Sequence, residues 1–345
     1  VLDLARSELL GRKPYQTADS SRDYVRLHAN ESPWSRDEHK LNRYPSPQPR
    51  ELSERLAEIH KVDPTWLMAT RGSDDGIDLL IRAFCRAGAD RITICPPTFG
   101  MYSSFAQIQD ASIVTIPLLG DSFELDLEGL CNPEANSKLV FVCRPNNPTG
   151  SVAGLDDIET LARRLKGRSL VVVDEAYIEF SDQPSAIGLV SAHENIVILR
   201  TLSKAYGMAG LRCGAVVAHP EVIRLLSSIS APYAMPSPCV KLALASLTPE
   251  RLQDTQAQIR TIKSQKIMLT ESLGQLRCVS RIWPSEANFL LIRFQDAQLA
   301  LRILQEQGIL VRDFSQTLKL ENCLRVTLGT QAENKQVISL LRSIS

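Results

Sequence analysis

An amine flanked by hydroxyls sits in the segment Arg200-Thr201-Leu202-Ser203-Lys204, and an arginine follows in Ala209-Gly210-Leu211-Arg212-Cys213-Gly214. The Lys204 amine can form an imine with an aldehyde. Thr201, Ser203 and Arg212 can hold a phosphate dianion, the arginine as a bidentate clamp. A solvated lysine beside a helix start is the plainer reading of a lone lysine. A second segment, Val171-Val172-Val173-Asp174-Glu175-Ala176-Tyr177, ends an apolar run on an aspartate. A carboxylate at the end of a buried strand is costly unless it is paired. A protonated pyridine nitrogen fits as the partner, and the pairing keeps such a ring an electron sink. Tyr177 could donate to a phenolate oxygen on the same ring. The bland alternative is an aspartate that caps a turn.

Arg144-Pro145-Asn146-Asn147-Pro148-Thr149-Gly150 is a run of turn formers after an apolar stretch. Such a turn presents amide groups rigidly, and Asn147 could donate to the same phenolate oxygen. It also reads as a simple tight loop. Arg71-Gly72-Ser73-Asp74-Asp75-Gly76 leads into a helical pattern, so Ser73 and Asp74 offer free backbone N–H groups to a phosphate. An N-cap with acidic first-turn residues explains the same letters, and the two readings are compatible. Phe99, in Pro96-Pro97-Thr98-Phe99-Gly100-Met101-Tyr102, could stack on a planar ring. On that fragment alone, core packing is favoured.

Each of these segments falls just after an expected strand or opens the helix that follows one. The apolar runs Ile92–Cys95, Ser112–Ile116, Leu139–Cys143, Leu170–Val173, Ile196–Leu199 and Ala215–Ala218 read as strands. Helices are expected at Arg50–His60, Asp75–Ala87 and Leu155–Lys166. This alternation predicts an α/β fold with a mostly parallel central sheet, buried on both faces and flanked by helices. In such sheets ligands bind beyond the carboxyl ends of the strands. A long-helical stretch from Pro220 to Ser272 has a polar interior, Gln253–Lys266. The C-terminal part reads as a smaller α+β unit. Its strands are expected near Ile282 and at Phe289–Phe294, Ile309–Val311 and Leu324–Leu328, and its helices at Ala297–Gln307 and Glu333–Ser343. The expected organisation is an arm over 1–45, a large domain over 46–270 and a small domain over 271–345.

At 345 residues the chain is too long for one ordinary core. Its 39 basic and 39 acidic residues balance, which gives no electrostatic reason to expect nucleic acid or a membrane as partner. No apolar run reaches membrane-spanning length, and the first residues lack the pattern of a secretory signal. The 8 cysteines are scattered, without a Cys-x-x-Cys pair, and the histidines are isolated. The expectation is reduced thiols, no metal site and a cytoplasmic protein.

Together the segments resemble the class I/II, fold-type I aminotransferases that use pyridoxal 5′-phosphate. The resemblance runs over almost the whole chain and is strongest for the histidinol-phosphate aminotransferase branch. It is carried by His28-Ala29-Asn30-Glu31, Leu41-Asn42-Arg43-Tyr44-Pro45, Arg71–Gly76, Cys95–Tyr102, Asn146–Gly150, Asp174–Tyr177, Thr201–Lys204, Gly210–Gly214 and Leu324–Thr330. It implies that Lys204 holds the cofactor as a Schiff base and shuttles the proton. It also implies that Asp174 pairs with the ring nitrogen, that Asn147 and Tyr177 bind the phenolate oxygen, and that Phe99 stacks on the ring. Ser73, Asp74, Thr201, Ser203 and Arg212 are expected at the phosphate. Tyr44 is expected to reach the neighbouring subunit's cofactor, which implies a homodimer. Arg325 and Arg312 are expected to bind the substrate anion, with Tyr15 and Asn30 lining the pocket from the arm.

The implied reaction is a ping-pong exchange of an amino group between histidinol phosphate and 2-oxoglutarate, yielding glutamate. One arginine site would serve the phosphate of one substrate and the carboxylate of the other. An aromatic-amino-acid aminotransferase and a threonine-phosphate decarboxylase are the alternatives within the same chemistry. A ligand-sensing module is the alternative outside it, and the expectation is that neither a DNA-binding segment nor a basic patch accompanies this chain. Two positions depart from the family. Phe99 stands where many relatives carry tyrosine. Arg144 stands where small residues are usual, and its role is open.

Overall fold

Val171, Val172 and Val173 show why the central sheet forms where it does: a β-branched run suits a pleated strand, and each residue is fully buried. The computed structural model describes residues 1–13, 25–35 and 40–344. Its strands are β1 (Leu67–Thr70), β2 (Arg91–Ile94), β3 (Ser112–Thr115), β4 (Leu139–Cys143), β5 (Leu170–Asp174), β6 (Ile196–Thr201) and β7 (Gly214–Ala218), then β8 (Val279–Ile282), β9 (Phe289–Phe294), β10 (Arg312–Asp313) and β11 (Cys323–Thr327). The helices are α1 (Arg50–His60), α2 (Ser73–Phe84), α3 (Met101–Ile108), α4 (Leu127–Cys131), α5 (Leu155–Arg164), α6 (Pro220–Ile229), α7 (Ser237–Ala245), α8 (Pro249–Gly274), α9 (Ala297–Glu306) and α10 (Gln331–Arg342).

The first seven strands form one sheet in the order β1-β7-β6-β5-β4-β2-β3. Every neighbouring pair is parallel except those made by β7, which runs against both β1 and β6. The period of two along each strand divides the core into two layers. Val140, Val142, Val171, Val173, Ile196 and Ile198 face one layer with α1 and α5. Leu139, Phe141, Leu170, Val172, Val197 and Leu199 face the other with α2, α3 and α6. Both faces are therefore covered, as the continuous apolar runs require.

The remaining strands form an antiparallel sheet in the order β10-β11-β9-β8. It packs on α9, α10 and the end of α8. Trp283, Leu291, Leu320 and Cys323 continue into the core of the first sheet. Helix α8 spans both units: Leu269 and Leu273 lie in the small-sheet core, and Ile259 packs beside Tyr177 and Phe289. Among the described residues no helix is long and apolar enough to cross a membrane.

Several boundaries differ from those read in the sequence. Helix α2 starts at Ser73 rather than Asp75, because Gly72 takes φ 78° and turns the chain one step earlier. It stops at Phe84 rather than Ala87, where Cys85 is already extended. The strand expected at Ile309–Val311 is absent. Ile309 and Val311 pack their side chains onto the small-sheet core, and the ladder forms only at Arg312 and Asp313, opposite Arg325 and Leu324. Strand β1 and helix α3 were not expected.

Candidate active site

The carboxyl ends of β4, β5 and β6 deliver the chemistry to one place. Asp174 is the last residue of β5, Asn147 lies in the loop after β4, and Lys204 lies just beyond β6. Lys204, Asp174, Tyr177, Asn147 and Phe99 line a single cavity. At one end, Ser73, Asp74, Thr201, Ser203 and Arg212 line the same cavity. The sequence-expected residues of ring and phosphate thus converge, Tyr44 excepted.

That end of the cavity is built by close backbone approach. The Thr201 hydroxyl donates to Ser203 Oγ at 2.9 Å, and Arg212 Nη1 donates to the same oxygen at 3.4 Å. Arg212 Nη2 lies 3.3 Å from Asp74 Oδ2. Arg212 itself adopts φ 51°, a left-handed conformation that a non-glycine residue holds only at a cost. A Cβ at Gly72 would sit 2.9 Å from Arg212 Nη2, and one at Gly214 would sit 2.8 Å from the Gly72 backbone. Helix α2 opens here, so its first N–H groups add a partial positive charge.

The reactive end combines a buried carboxylate with an amine. Asp174 is 2% exposed. Its oxygens accept the Tyr102 O–H at 2.7 Å and the Ala176 N–H at 3.2 Å, and no basic side chain pairs with it among the described residues. Burial pushes its pKa up to about 6 against the lowering effect of those two hydrogen bonds. Lys204 is exposed along the cavity, but its amine loses part of its solvation. That loss, with Arg325 nearby, draws its pKa below the ordinary lysine value, although Asp74 and Asp174 work the other way. Burial raises the Tyr177 phenol, which stays a donor. Asn147 Nδ2 lies 3.5 Å from the Tyr177 hydroxyl.

Arg325 reaches this cluster from β11. Its guanidinium lies 5.2 Å from the Phe289 ring centre and 5.5 Å from that of Phe314, and its Nη1 donates to Asn147 Oδ1. Burial lowers its pKa, and Arg312 adds to the effect. Arg312 is the register partner of Arg325 on β10 and is exposed. Tyr44 and Asn30 lie elsewhere, in a separate groove lined also by Pro236 and Pro238. Tyr44 stacks on Tyr233 at 4.5 Å and is half exposed. Tyr15 lies outside the described residues.

Two residues belong to the surroundings of the site though their roles were not read in the sequence. Tyr102 is the hydrogen-bond donor to Asp174. Arg144 is wholly buried, and its partner is Glu175: Arg144 Nη1 lies 3.0 Å from Glu175 Oε1, and its Nε donates to the Ala153 carbonyl. Glu175 Oε2 also pairs with Arg200 at 3.0 Å, and Arg200 with Glu179 at 2.6 Å. This ionic chain ties the ends of β4, β5 and β6 behind the residues that line the cavity. The signal was present: Arg144, Glu175 and Arg200 each stand where an apolar run ends.

The donor set fits a planar, phosphorylated aldehyde with a basic ring nitrogen. The buried Asp174 carboxylate lacks a cation, the amine and the Phe99 ring face the same cavity, and the anion cradle lies at one end. Fold and site together define the class of fold-type I enzymes that work with pyridoxal phosphate. The chain belongs to the aminotransferase class I and II family, whose family model matches residues 2–341. Among its relatives, a histidinol-phosphate aminotransferase of Xanthomonas euvesicatoria pv. vesicatoria (strain 85-10) is 42% identical over 351 residues, covering 99% of this chain and 97% of that protein. A crystal structure of histidinol-phosphate aminotransferase from Sinorhizobium meliloti, in complex with pyridoxal-5′-phosphate, superposes with a TM-score of 0.78 at 24% identity, covering 92% of this chain and 90% of that one. The L-threonine-O-3-phosphate decarboxylase of Porphyromonas gingivalis gives 0.76 at 24% identity, over 88% and 91% of the two chains. At such identities the likeness is one of fold, which transaminase and decarboxylase share.

Proposed function

We propose that this protein is a pyridoxal-phosphate-dependent transaminase that moves the amino group between L-histidinol phosphate and 2-oxoglutarate, giving imidazole-acetol phosphate and L-glutamate, as a step of histidine biosynthesis. The observation that carries the reading is the single cavity shared by the Lys204 amine, the Asp174 carboxylate and the Arg212 cradle. The identity with the Xanthomonas relative over 99% of the chain supports the choice of substrates.

When bound, pyridoxal phosphate supplies an aldehyde that condenses with amines and a ring that takes up the electron pair left at the substrate carbon. Ser73 and Asp74 at the start of α2, with Thr201, Ser203 and Arg212, would hold its phosphate. Phe99 would face its ring, and Asn147 and Tyr177 would hold its phenolate oxygen. Asp174 would hold the positive charge at the ring nitrogen. Lys204 would hold the aldehyde carbon, and its amine would be the base that moves the substrate Cα proton. Its lowered pKa serves that task, because only the neutral amine can attack or accept a proton. Arg325 takes the anionic end of either substrate in turn, assisted by Arg312, and a ping-pong order follows.

The same reading makes the protein a cytoplasmic homodimer. The half-exposed Tyr44 supports the dimer, since it stands apart from its own chain's cavity and is free to serve a neighbour's. Tyr15 and Asn30 would then line the substrate pocket from the arm. The free cysteines agree with a reducing compartment. Residues 1–45 are taken as arm, 46–270 as the large domain and 271–345 as the small one.

A panel of amino donors, read by the cofactor's absorbance in single turnovers, tests the reading. Histidinol phosphate is expected to convert the bound cofactor to its aminated form without gas release. Carbon dioxide released from threonine phosphate would establish the decarboxylase instead, and a preference for tyrosine or phenylalanine would establish an aromatic aminotransferase.

A further inference from the structure

We propose that Tyr102 is a positioning residue of this site: its phenol, locked between Phe99 and Phe141, fixes the Asp174 carboxylate in the orientation that meets the cofactor's ring nitrogen. The inference rests on the role given to Asp174 above and extends it to a residue behind the cavity wall.

Tyr102 is wholly buried. Its ring stacks on Phe141 at 4.8 Å and 17°, and meets Phe99 edge-on at 5.6 Å and 86°. An aromatic ring held on two sides in a close-packed core has no room to swing. Its O–H is thereby aimed at Asp174 Oδ2, 2.7 Å away. The other carboxylate oxygen accepts the Ala176 N–H. With a donor on each oxygen the plane of the carboxylate is set, and the remaining lone pairs are left for the cavity. Tyr102 does not line the cavity, whereas Asp174 and Phe99 do. One side chain on α3 therefore braces both the residue that stacks on the ring and the residue that meets its nitrogen.

Charged and titratable groups face Asp174 from every side. They are Asp74 on α2, Tyr102 on α3, Cys143 on β4, Glu175 and Tyr177 after β5, and Lys204 beyond β6. Asp74 and Glu175 disfavour the ionised carboxylate, and Tyr102 is the side-chain donor that favours it. Burial keeps the Tyr102 phenol protonated, so it acts only as a donor here.

Tyr102→Phe removes one hydroxyl and keeps the ring. In the holoenzyme it is expected to weaken retention of pyridoxal phosphate about tenfold and to lower kcat by a similar factor with KM little changed, the scale of a hydrogen bond to a charged group. In protein stripped of cofactor, the infrared band of the protonated Asp174 carboxyl is expected to persist to higher pH than in the wild type, because a donor to the ionised form is gone. Adding Tyr102→Phe to Asp174→Asn is expected to change neither affinity nor kcat further, because Tyr102 acts through Asp174. Equal losses in both backgrounds would reduce Tyr102 to a packing residue and overturn the inference. So would wild-type affinity and titration in Tyr102→Phe beside a damaged Asp174→Asn. If Asp174→Asn itself matched the wild type, the role of Asp174 would fall, and the inference with it.

Discussion

Lys204 and Asp174 are poised by opposite effects of the same burial. Loss of solvation favours the neutral amine on the lysine and the neutral acid on the aspartate. For Asp174 the sign has a consequence for stability. Its carboxyl titrates at about 6 in the folded protein, above its ordinary 3.8. The folded state therefore holds a proton that the unfolded chain has already released between those values. Stability of the cofactor-free protein is expected to fall as pH rises through that window, by about 3 kcal/mol in all, and to stay lower above it. Thermal melts across that range check this. Asp174→Asn is expected to flatten the fall, and pyridoxal phosphate to offset it by supplying the missing cation. Arg325→Ala is a second test at this scale. Arg325 is the one anion site proposed for both substrates, so kcat/KM is expected to drop about tenfold to a hundredfold for histidinol phosphate and for glutamate alike. A loss confined to glutamate would refute the shared site.

The elements act through where they end. Strands β4 and β5 stop in register at Cys143 and Asp174, β6 runs two residues past its partner Leu199, and the Arg144–Glu175–Arg200–Glu179 chain fastens those ends. Arg144→Leu leaves Glu175 with Arg200 as its remaining cation in a buried setting, and a loss of about 3 kcal/mol is expected by denaturant unfolding. Helix α2 depends on Gly72 for its start. Gly72→Ala forces a side chain into a left-handed turn and against Arg212, so weaker pyridoxal phosphate binding is expected along with lower stability. Much of this scale is legible in the sequence. The valine and isoleucine runs mark the buried strands, and the polar residues that interrupt them mark the cavity. The partners of Arg144 and Tyr102 were not legible, because each contact crosses between elements distant along the chain and only packing brings them together. The apolar side chains around Ile309 record burial without ladder pairing.

At the scale of the molecule, the described residues of one chain bring Lys204, Asp174 and Arg212 to one cavity, but Tyr44 stands in a separate groove. The proposed homodimer makes that placement useful, since each Tyr44 then serves the opposite cavity. Mixed subunits test it. Lys204→Ala and Tyr44→Ala proteins, each weakly active or inactive alone, are expected to regain activity when unfolded and refolded together, because a hybrid dimer then has one intact site. Without such regain, Tyr44 does not cross. The fold of the whole was legible from the alternation of strands and helices, whereas the reversed direction of β7 was not, since direction leaves no trace in an apolar run.

The central claim is that the cofactor is bound covalently to Lys204. Borohydride reduction of the holoenzyme, followed by digestion and mass mapping, tests it most directly. The account predicts the phosphopyridoxyl label on the peptide that carries Lys204, and its absence in Lys204→Ala together with turnover. A label on another lysine, or full turnover without Lys204, would contradict it.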